Sequence, residues 1–303
     1  MAPCMLCPRL CGADREIGER GVCGQDGQIR VARASLHLFE EPPISGKRGS
    51  GTVFFVGCSL RCVFCQNREI SRAEEVGRVF SVGGLAELFL SLQERGAHNI
   101  NLVTPTHFSD QIVRALDSVR HKLTIPVIYN SSGYERVESL RALEGLVDVY
   151  LPDFKYMDPA LSGRLSAAPD YAAVASQALC EMARQVGTPI LETDRESGCS
   201  LMRRGMIVRH LVLPGCRKDS MAVLSHLAAL LPKDSFLISL MSQYTPEFAS
   251  DCADKNLHRR LTRFEYESVV SHAAALGLDG FTQELASASS CFTPDFGRFF
   301  GEE

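Results

Sequence analysis

Seven of the chain's twelve cysteines lie within its first 65 residues, and this uneven distribution constrains the fold more than any other feature. Three of them, Cys58, Cys62 and Cys65, follow the spacing C-x3-C-x2-C directly after an apolar segment. Three thiolates on one short loop can hold three corners of a [4Fe–4S] cluster and leave the fourth iron free for a small molecule. Structural zinc requires four closed ligands, so the spacing favours iron and sulfide over zinc.

A second group of cysteines precedes this loop. Cys4, Cys7, Cys11 and Cys23 have the spacing C-x2-C-x3-C-x11-C. Four thiolates close a tetrahedral zinc site or complete a second [4Fe–4S] cluster, and either would stabilise a segment with little apolar periodicity. The long interval before Cys23 favours an iron–sulfur centre, but both metals remain open.

Composition excludes several other classes of protein. The chain has 303 residues, is 45% hydrophobic and 22% charged, and can therefore bury a sizeable core. Its net charge of −4 argues against nucleic acid as a partner. Because the sequence has neither an apolar run long enough for a bilayer nor a visible signal peptide, we expect no membrane association and a cytoplasmic location. A reducing cytosol keeps cysteines as thiols.

Apolar segments alternate with helical patterns, which predicts an α/β fold with a parallel sheet. The predicted strands cover residues 52–56, 100–103, 125–129, 147–151, 206–213 and 235–241. Six strand–helix units fit a partial (β/α)6 barrel better than a closed eight-fold one, with the site at the carboxyl ends of the strands. We expect three regions: a Cys-rich metal-binding extension (1–45), the barrel (46–246) and a C-terminal extension (247–303). Four phenylalanines of the last region are expected to pack on the barrel: Phe292, Phe296, Phe299 and Phe300.

The three-cysteine motif, with Phe64 before its last cysteine, resembles the radical S-adenosylmethionine (SAM) superfamily. Further segments narrow the resemblance to a poorly characterised branch of pyruvate formate-lyase-activating-enzyme homologues. These segments are residues 51–55, 66–67, 101–107, 129–135, 150–156, 208–215 and 240–244.

The resemblance implies a function and its cofactors. In that superfamily, the open iron of a [4Fe–4S] cluster binds SAM, and reductive cleavage generates a 5′-deoxyadenosyl radical that abstracts hydrogen from a substrate. It therefore implies an anaerobic, activating-enzyme-like oxidoreductase that receives electrons from a flavodoxin- or ferredoxin-type donor. The expected substrate is a protein, such as a glycyl-radical enzyme. The alternatives are radical modification of a small metabolite, and a non-enzymatic iron–sulfur electron-transfer or interaction protein.

The same resemblance assigns SAM contacts at the ends of the predicted strands. They are Thr104 (where activases usually carry a Gly-Gly-Glu motif), Asn130, Ser132, Asp153, Lys155 and Arg209. A structural salt bridge remains the alternative for Asp153 and Lys155.

Other side chains carry weaker expectations. His107 is balanced between a site and a surface role, and His210 is expected to be structural. Gln243 and Tyr244 are weak candidates for substrate contacts. Glu40 and Glu41 are interpreted as a solvated connector in preference to an acid–base pair. Cys180 is predicted to lie in the core.

Overall fold

The computed structural model describes residues 3–73 and 75–285, together with Pro294, Phe296 and Phe299. The strands in these regions are β1 (Ile29–His37), β2 (Ser50–Phe55), β3 (Arg78–Phe80), β4 (Ile100–Val103), β5 (Val127–Ser131), β6 (Val149–Pro152), β7 (Ile190–Thr193), β8 (Ser200–Leu211), β9 (Leu237–Met241) and β10 (Gly280–Thr282). The helices are α1 (Pro42–Ser45), α2 (Arg68–Ser71), α3 (Val82–Glu94), α4 (Ser109–Val119), α5 (Val137–Arg141), α6 (Pro159–Ser166), α7 (Tyr171–Val186), α8 (Arg217–Leu230) and α9 (Arg263–Ala275).

The strands form one sheet in the order β10-β9-β8-β6-β5-β4-β2-β1-β3, with β7 paired to β8. Neighbours from β2 to β10 are parallel, whereas β1 and β3 are antiparallel at one edge. The predicted α/β class and parallel sheet are therefore confirmed. The sequence pattern missed β1, β3, β7 and β10; of these, β3 and β10 have only three residues each and are too short to show a period.

Side chains that face the helices form the main core. Leu85, Phe89 and Leu92 of α3 are fully buried against the sheet. The prediction for Cys180 is wrong, because its side chain is exposed on α7 beside the buried Leu179. Consecutive residues of a helix are rotated by about 100° around its axis, so Cys180 lies outside the apolar stripe that contains Leu179.

Phe296 and Phe299 of the C-terminal extension contact the antiparallel edge of the sheet, whereas β10 lies at the opposite edge. The ring of Phe296 lies 5.4 Å from that of Phe54 on β2, and the ring of Phe299 stacks on Phe80 of β3 at 6.1 Å. The predictions for Phe292 and Phe300 fall outside the described residues. Within the described ranges, no helix combines the length and apolar character that a membrane span requires.

Candidate active site

The three-cysteine loop follows β2 and lies at the carboxyl end of the sheet. The Val63 N–H donates to the carbonyl of Leu165 at 2.9 Å, which fixes the loop against the end of α6. The Ser166 hydroxyl lies 3.0 Å from the sulfur of Cys62. The Ser71 hydroxyl lies 3.4 Å from the sulfur of Cys65. Neighbouring elements thus supply polar contacts that tune the thiols of this loop.

As thiolates, the sulfurs of this loop would need a cationic partner. Burial raises the pKa of Cys58 and of Cys65, and the proximity of Cys62 raises both further. A buried thiolate is costly without a compensating positive charge, and metal ligands must be deprotonated. The donor set therefore fits iron, with Lys155 as an additional nearby cation.

One cavity of about 660 Å³ connects this loop to the strand ends. Its lining includes Cys58, Cys62, Cys65, Thr104, Asn130, Ser132, Asp153, Lys155 and Arg209. The structure thus brings together all nine residues that the sequence assigned to the three-cysteine site and its SAM contacts. Their individual roles remain predictions.

A chain of ion pairs crosses the cavity. Lys155 forms an ion pair with Asp153, and the Arg209 Nε donates to the other carboxylate oxygen at 3.1 Å. Arg209 also donates to the Oδ1 of Asn130 and lies 3.4 Å from a carboxylate oxygen of Glu40. Burial opposes ionisation of Asp153, but Lys155 and Arg209 together hold its pKa below the usual value. The salt bridge that the sequence left as an alternative is present and belongs to the cavity wall.

Two local backbone features shape the same wall. Thr104 has a φ of 58°, a left-handed conformation that is uncommon for a threonine, and its N–H donates to the Asn130 carbonyl at 2.9 Å. Gly133 has a φ of 73°, and a Cβ there would lie 2.2 Å from the Asp153 carbonyl oxygen. Only glycine permits this approach, which places the loop after β5 against the end of β6.

The interpretation of Glu40 and Glu41 as a solvated connector is wrong. Both side chains line the cavity, and Asn101 donates to Glu40 at 3.1 Å. Burial raises the pKa of both carboxyls, although Arg209 lowers it. Their partners lie far away along the chain, so composition alone gave no signal of burial.

The weaker candidates differ in whether they line the cavity. Gln243 lines the cavity. Tyr244 is buried and donates to the carbonyl of Leu257, outside the lining. His107 is neither at the surface nor in the cavity: its ring is buried, with Nε2 2.7 Å from the Val56 carbonyl oxygen. His210 is likewise buried, with Nδ1 2.7 Å from the Phe154 carbonyl oxygen, as a structural role requires.

The four N-terminal cysteines fold into a small lobe, defined here as residues 3–28. The Cys4 N–H donates to the Ala13 carbonyl at 3.1 Å and its carbonyl accepts from the Gly12 N–H, which closes the first turn of the lobe. Burial raises the pKa of Cys7 to about 11. Although burial opposes it, backbone N–H groups lower the pKa of Cys11. By chemistry, four thiols are the donor set of a closed zinc site or of a [4Fe–4S] cluster.

The lobe contacts the three-cysteine loop directly. The Cys58 N–H lies 3.3 Å from the Cys23 carbonyl oxygen. Arg9 donates to the Ser59 carbonyl at 2.8 Å and lies over the ring of Tyr134. In the described parts of the chain, no three His, Cys, Asp or Glu side chains have the spacing for chelating a single metal ion. A cluster instead provides a separate iron for each thiolate.

Comparison with known proteins identifies the class that this fold and site define: the chain belongs to the radical SAM superfamily, whose model matches residues 52–194. The superfamily implies a [4Fe–4S] cluster and SAM as cofactors. The chain is also similar to an uncharacterized protein of Methanocaldococcus jannaschii, with 30% identity over 289 residues that cover 91% of this chain and 75% of that one.

Solved structures with similar folds share little sequence with the chain. A pyruvate-formate lyase-activating enzyme domain from Bacteroides vulgatus has 12% identity and a TM-score of 0.41, covering 58% of this chain and 92% of that one. Methylornithine synthase has 14% identity and a TM-score of 0.45, with 77% and 70% covered. Streptococcus suis SuiB bound to precursor peptide SuiA has 12% identity and a TM-score of 0.49, with 76% and 48% covered.

Proposed function

We propose that this chain cleaves SAM reductively and abstracts a hydrogen atom from a protein substrate, in the manner of an activating enzyme. The observation that carries the proposal is the single cavity lined by the three-cysteine loop and six predicted SAM contacts. When bound, the cluster supplies the electron and SAM supplies the carbon radical.

The protein's own side chains position SAM and exclude water. Cys58, Cys62 and Cys65 would hold the cluster. Lys155, which lies near Cys62, would pair with the SAM carboxylate, and Asp153 would orient the ammonium group of Lys155. Arg209 is held by Asp153 and Asn130 in a fixed orientation that suits a carboxylate or a ribose hydroxyl. The surrounding barrel limits access of water to a reactive radical.

The rim of the cavity supports a protein substrate. Leu38 and Phe39 are 55% and 57% exposed, and Phe39 lines the cavity. Adjacent exposed apolar side chains at a cavity mouth are typical of surfaces that bind another protein. We further propose that the protein works anaerobically in the cytoplasm, with a flavodoxin- or ferredoxin-type donor and a glycyl-radical enzyme as the expected type of substrate.

The lobe is proposed to hold a second metal centre at Cys4, Cys7, Cys11 and Cys23, with an iron–sulfur cluster favoured over zinc. Its direct contact with the three-cysteine loop through Cys58 supports a role in electron relay. Iron and sulfide analysis tests this assignment. About eight irons per chain would support two clusters, whereas about four irons with one zinc would assign zinc to the lobe.

A small metabolite is the second candidate substrate, because the cavity volume of about 660 Å³ falls within the range of small-molecule sites. An electron carrier without enzymatic activity is disfavoured, since a carrier has no use for ligand side chains at five strand ends.

The decisive experiment measures 5′-deoxyadenosine after anaerobic reconstitution with iron and sulfide. We expect formation that depends on both SAM and a strong reductant in the wild-type chain, and none in the double variant Cys58→Ala/Cys65→Ala. Cys180→Ser, on the exposed face of α7, is the matched control and should retain activity. A wild-type chain that holds its cluster but leaves SAM intact would refute the proposal.

A further inference from the structure

Glu41 lines the cavity, and one oxygen of its carboxylate is not satisfied by the described residues. The residue is only 8% exposed, and its Oε2 has no hydrogen-bond partner in the part of the chain that the structure describes. Burial raises the pKa of this carboxyl group, whereas Arg209 and Ser239 of β9, which lie near it, lower it. A buried carboxylate oxygen without a donor is costly, so this atom has the character of a ligand-binding group.

Charge balance around the cavity points to a cationic ligand. The described residues of its lining include four carboxylates but only two groups that are permanently cationic. The carboxylates are Glu40, Glu41, Asp153 and Glu284, and the cations are Lys155 and Arg209. Asp153 and Glu40 both contact Arg209, so its single charge is already shared before Glu41 is considered. By formal charge, the described lining is therefore net negative.

The unpaired Oε2 of Glu41 is a hydrogen-bond acceptor, whereas Glu40 beside it already accepts from the Asn101 amide. A ligand with several N–H groups matches this need, because an ammonium or guanidinium group donates and does not accept.

The ion-pair chain runs from Lys155 through Asp153 and Arg209 to Glu40, which directly precedes Glu41. Lys155 and Glu41 therefore lie toward opposite ends of this chain. SAM bound beside the loop would thus contact Lys155 before it reached Glu41. We propose that Glu41 is the substrate-binding residue of this site, and that it recognises a cationic nitrogen of the substrate.

This inference deepens the proposed function by naming the substrate class, and it rests on the cavity being the SAM and substrate site. The backbone holds Glu41 in place before any ligand binds. Its carbonyl accepts from the N–H groups of Ile44 and Ser45 at 2.8 and 3.1 Å, and prolines occupy the first positions of α1. A pre-organised carboxylate loses little entropy on binding, which favours selectivity.

The test uses the full-length chain, reconstituted anaerobically and saturated with SAM, with binding measured by calorimetry. The probes are the peptide acetyl-Gly-Lys-Gly-amide, its norleucine analogue, and the free diamine cadaverine. We expect at least one amine to bind at least about tenfold tighter than the norleucine peptide, because the norleucine side chain cannot form a charge-assisted hydrogen bond. Glu41→Gln should reduce that preference to less than about twofold.

The arms of the experiment separate the sources of the cation. Binding of the lysine peptide alone indicates a protein substrate, and binding of cadaverine alone indicates a small amine; either result supports the inference.

Glu192→Gln is the matched control, since Glu192 lies on β7 and pairs with Arg203 away from the cavity. If Glu41→Gln fails to fold, Glu41→Asp keeps the charge but withdraws it by one methylene, and should still weaken amine binding about fivefold.

Three results would overturn the inference: no preference for amines in the wild-type chain, a preference that survives Glu41→Gln, or an equal loss of SAM affinity in that variant, which would make Glu41 a SAM contact. Formation of 5′-deoxyadenosine is measured in the same samples. Amine binding that depends on Glu41 without SAM cleavage would refute the proposed function alone, whereas cleavage without such binding would refute this inference alone.

Discussion

The two cysteine groups lie side by side, yet their thiols face different surroundings. Cys58, Cys62 and Cys65 line a cavity of about 660 Å³, so one side of the set is open to a ligand. In the lobe, Cys7 and Cys23 are 6% and 8% exposed, and the lobe's cysteines lie outside the lining of that cavity. An open set of three donors suits catalysis, whereas a closed set of four suits structure or electron transfer.

The contact between the groups makes each depend on the other. The Cys23 carbonyl accepts the Cys58 N–H, and the Gln25 side chain lies against Gly57 at the start of the three-cysteine loop. The lobe therefore supports the position of the first predicted cluster ligand. Four perturbations test how far the open and closed groups differ.

The largest difference is expected in catalysis. Cys62→Ser should lower 5′-deoxyadenosine formation by at least about 1000-fold, because two thiolates cannot hold a cluster with an open iron. Cys11→Ser, which leaves the cavity intact, should lower it by about tenfold to 100-fold if the lobe only relays electrons. The rate is measured with dithionite as reductant. Equal losses in the two variants would contradict the division into a catalytic and a supporting group.

The next largest effect concerns stability. Cys23→Ser should lower the free energy of unfolding by at least about 3 kcal/mol, because a lobe with little apolar periodicity draws its stability from bound metal. Denaturant unfolding under anaerobic conditions measures the change, with Cys180→Ser as the control. Removing metal from the wild-type chain with a chelator should produce a similar loss. A change below about 0.5 kcal/mol in Cys23→Ser would show that the lobe folds without metal.

The sequence predicted that the candidate SAM contacts converge beside the three-cysteine loop, and the reason is geometric. Parallel strands present their carboxyl ends at one edge, so Asn130, Asp153 and Arg209 come together once each is assigned to a strand end. Neither the exact hydrogen bonds nor the order of the ion pairs is required for that prediction.

The sequence could not predict features that depend on partners distant along the chain. Burial of Glu40 is decided by Arg209 and Asn101, which no local pattern connects to it. From the sequence, His107 is expected in an accessible loop at a strand end. In the structure the lobe covers this loop, since Arg15 donates to the His107 carbonyl. Local periodicity reports which face of an element is apolar, and not which other segment covers it.

The third perturbation concerns Glu135, a buried carboxyl close to Cys7 at the base of the lobe. Burial raises its pKa from 4.5 to about 7, despite hydrogen bonds from Thr106, Ser131 and Tyr129. Because the folded chain binds this proton more tightly than the unfolded chain, stability falls as the pH rises from about 4.5 to 7. The loss from this group amounts to at most about 3 kcal/mol.

Glu135→Gln should remove this contribution, since an amide does not titrate. We expect the stability difference between pH 5 and pH 7.5, measured by urea unfolding, to become smaller in the variant than in the wild-type chain. All other titrating groups are common to both proteins, so the difference isolates Glu135. An unchanged pH dependence would mean that this carboxyl is already ionised at pH 5.

The smallest effect is expected at the contact between the two groups. Gly57 has a φ of 88°, and a Cβ there would lie 2.7 Å from the Cys23 carbonyl oxygen and 2.5 Å from the Gln25 side chain. Gly57→Ala should therefore destabilise the chain by about 2 kcal/mol, through backbone strain and loss of the lobe contact. Gly83→Ala is the matched control, because Gly83 lies in α3 with nothing within 4 Å of its Cβ position, and it should be neutral or slightly stabilising.

Gly57→Ala distinguishes a lobe that positions the three-cysteine loop from a lobe that is only attached to it. If the lobe positions the three-cysteine loop, the variant should react faster with a thiol reagent at Cys23 in metal-free protein and should form 5′-deoxyadenosine about tenfold more slowly. If the lobe is only attached, Cys23 should become more reactive while the rate stays at the level of Gly83→Ala. Because the altered atom is neither a metal ligand nor a lining group of the cavity, a loss of rate here must pass through the backbone hydrogen bond from Cys58 to Cys23 and the packing around it.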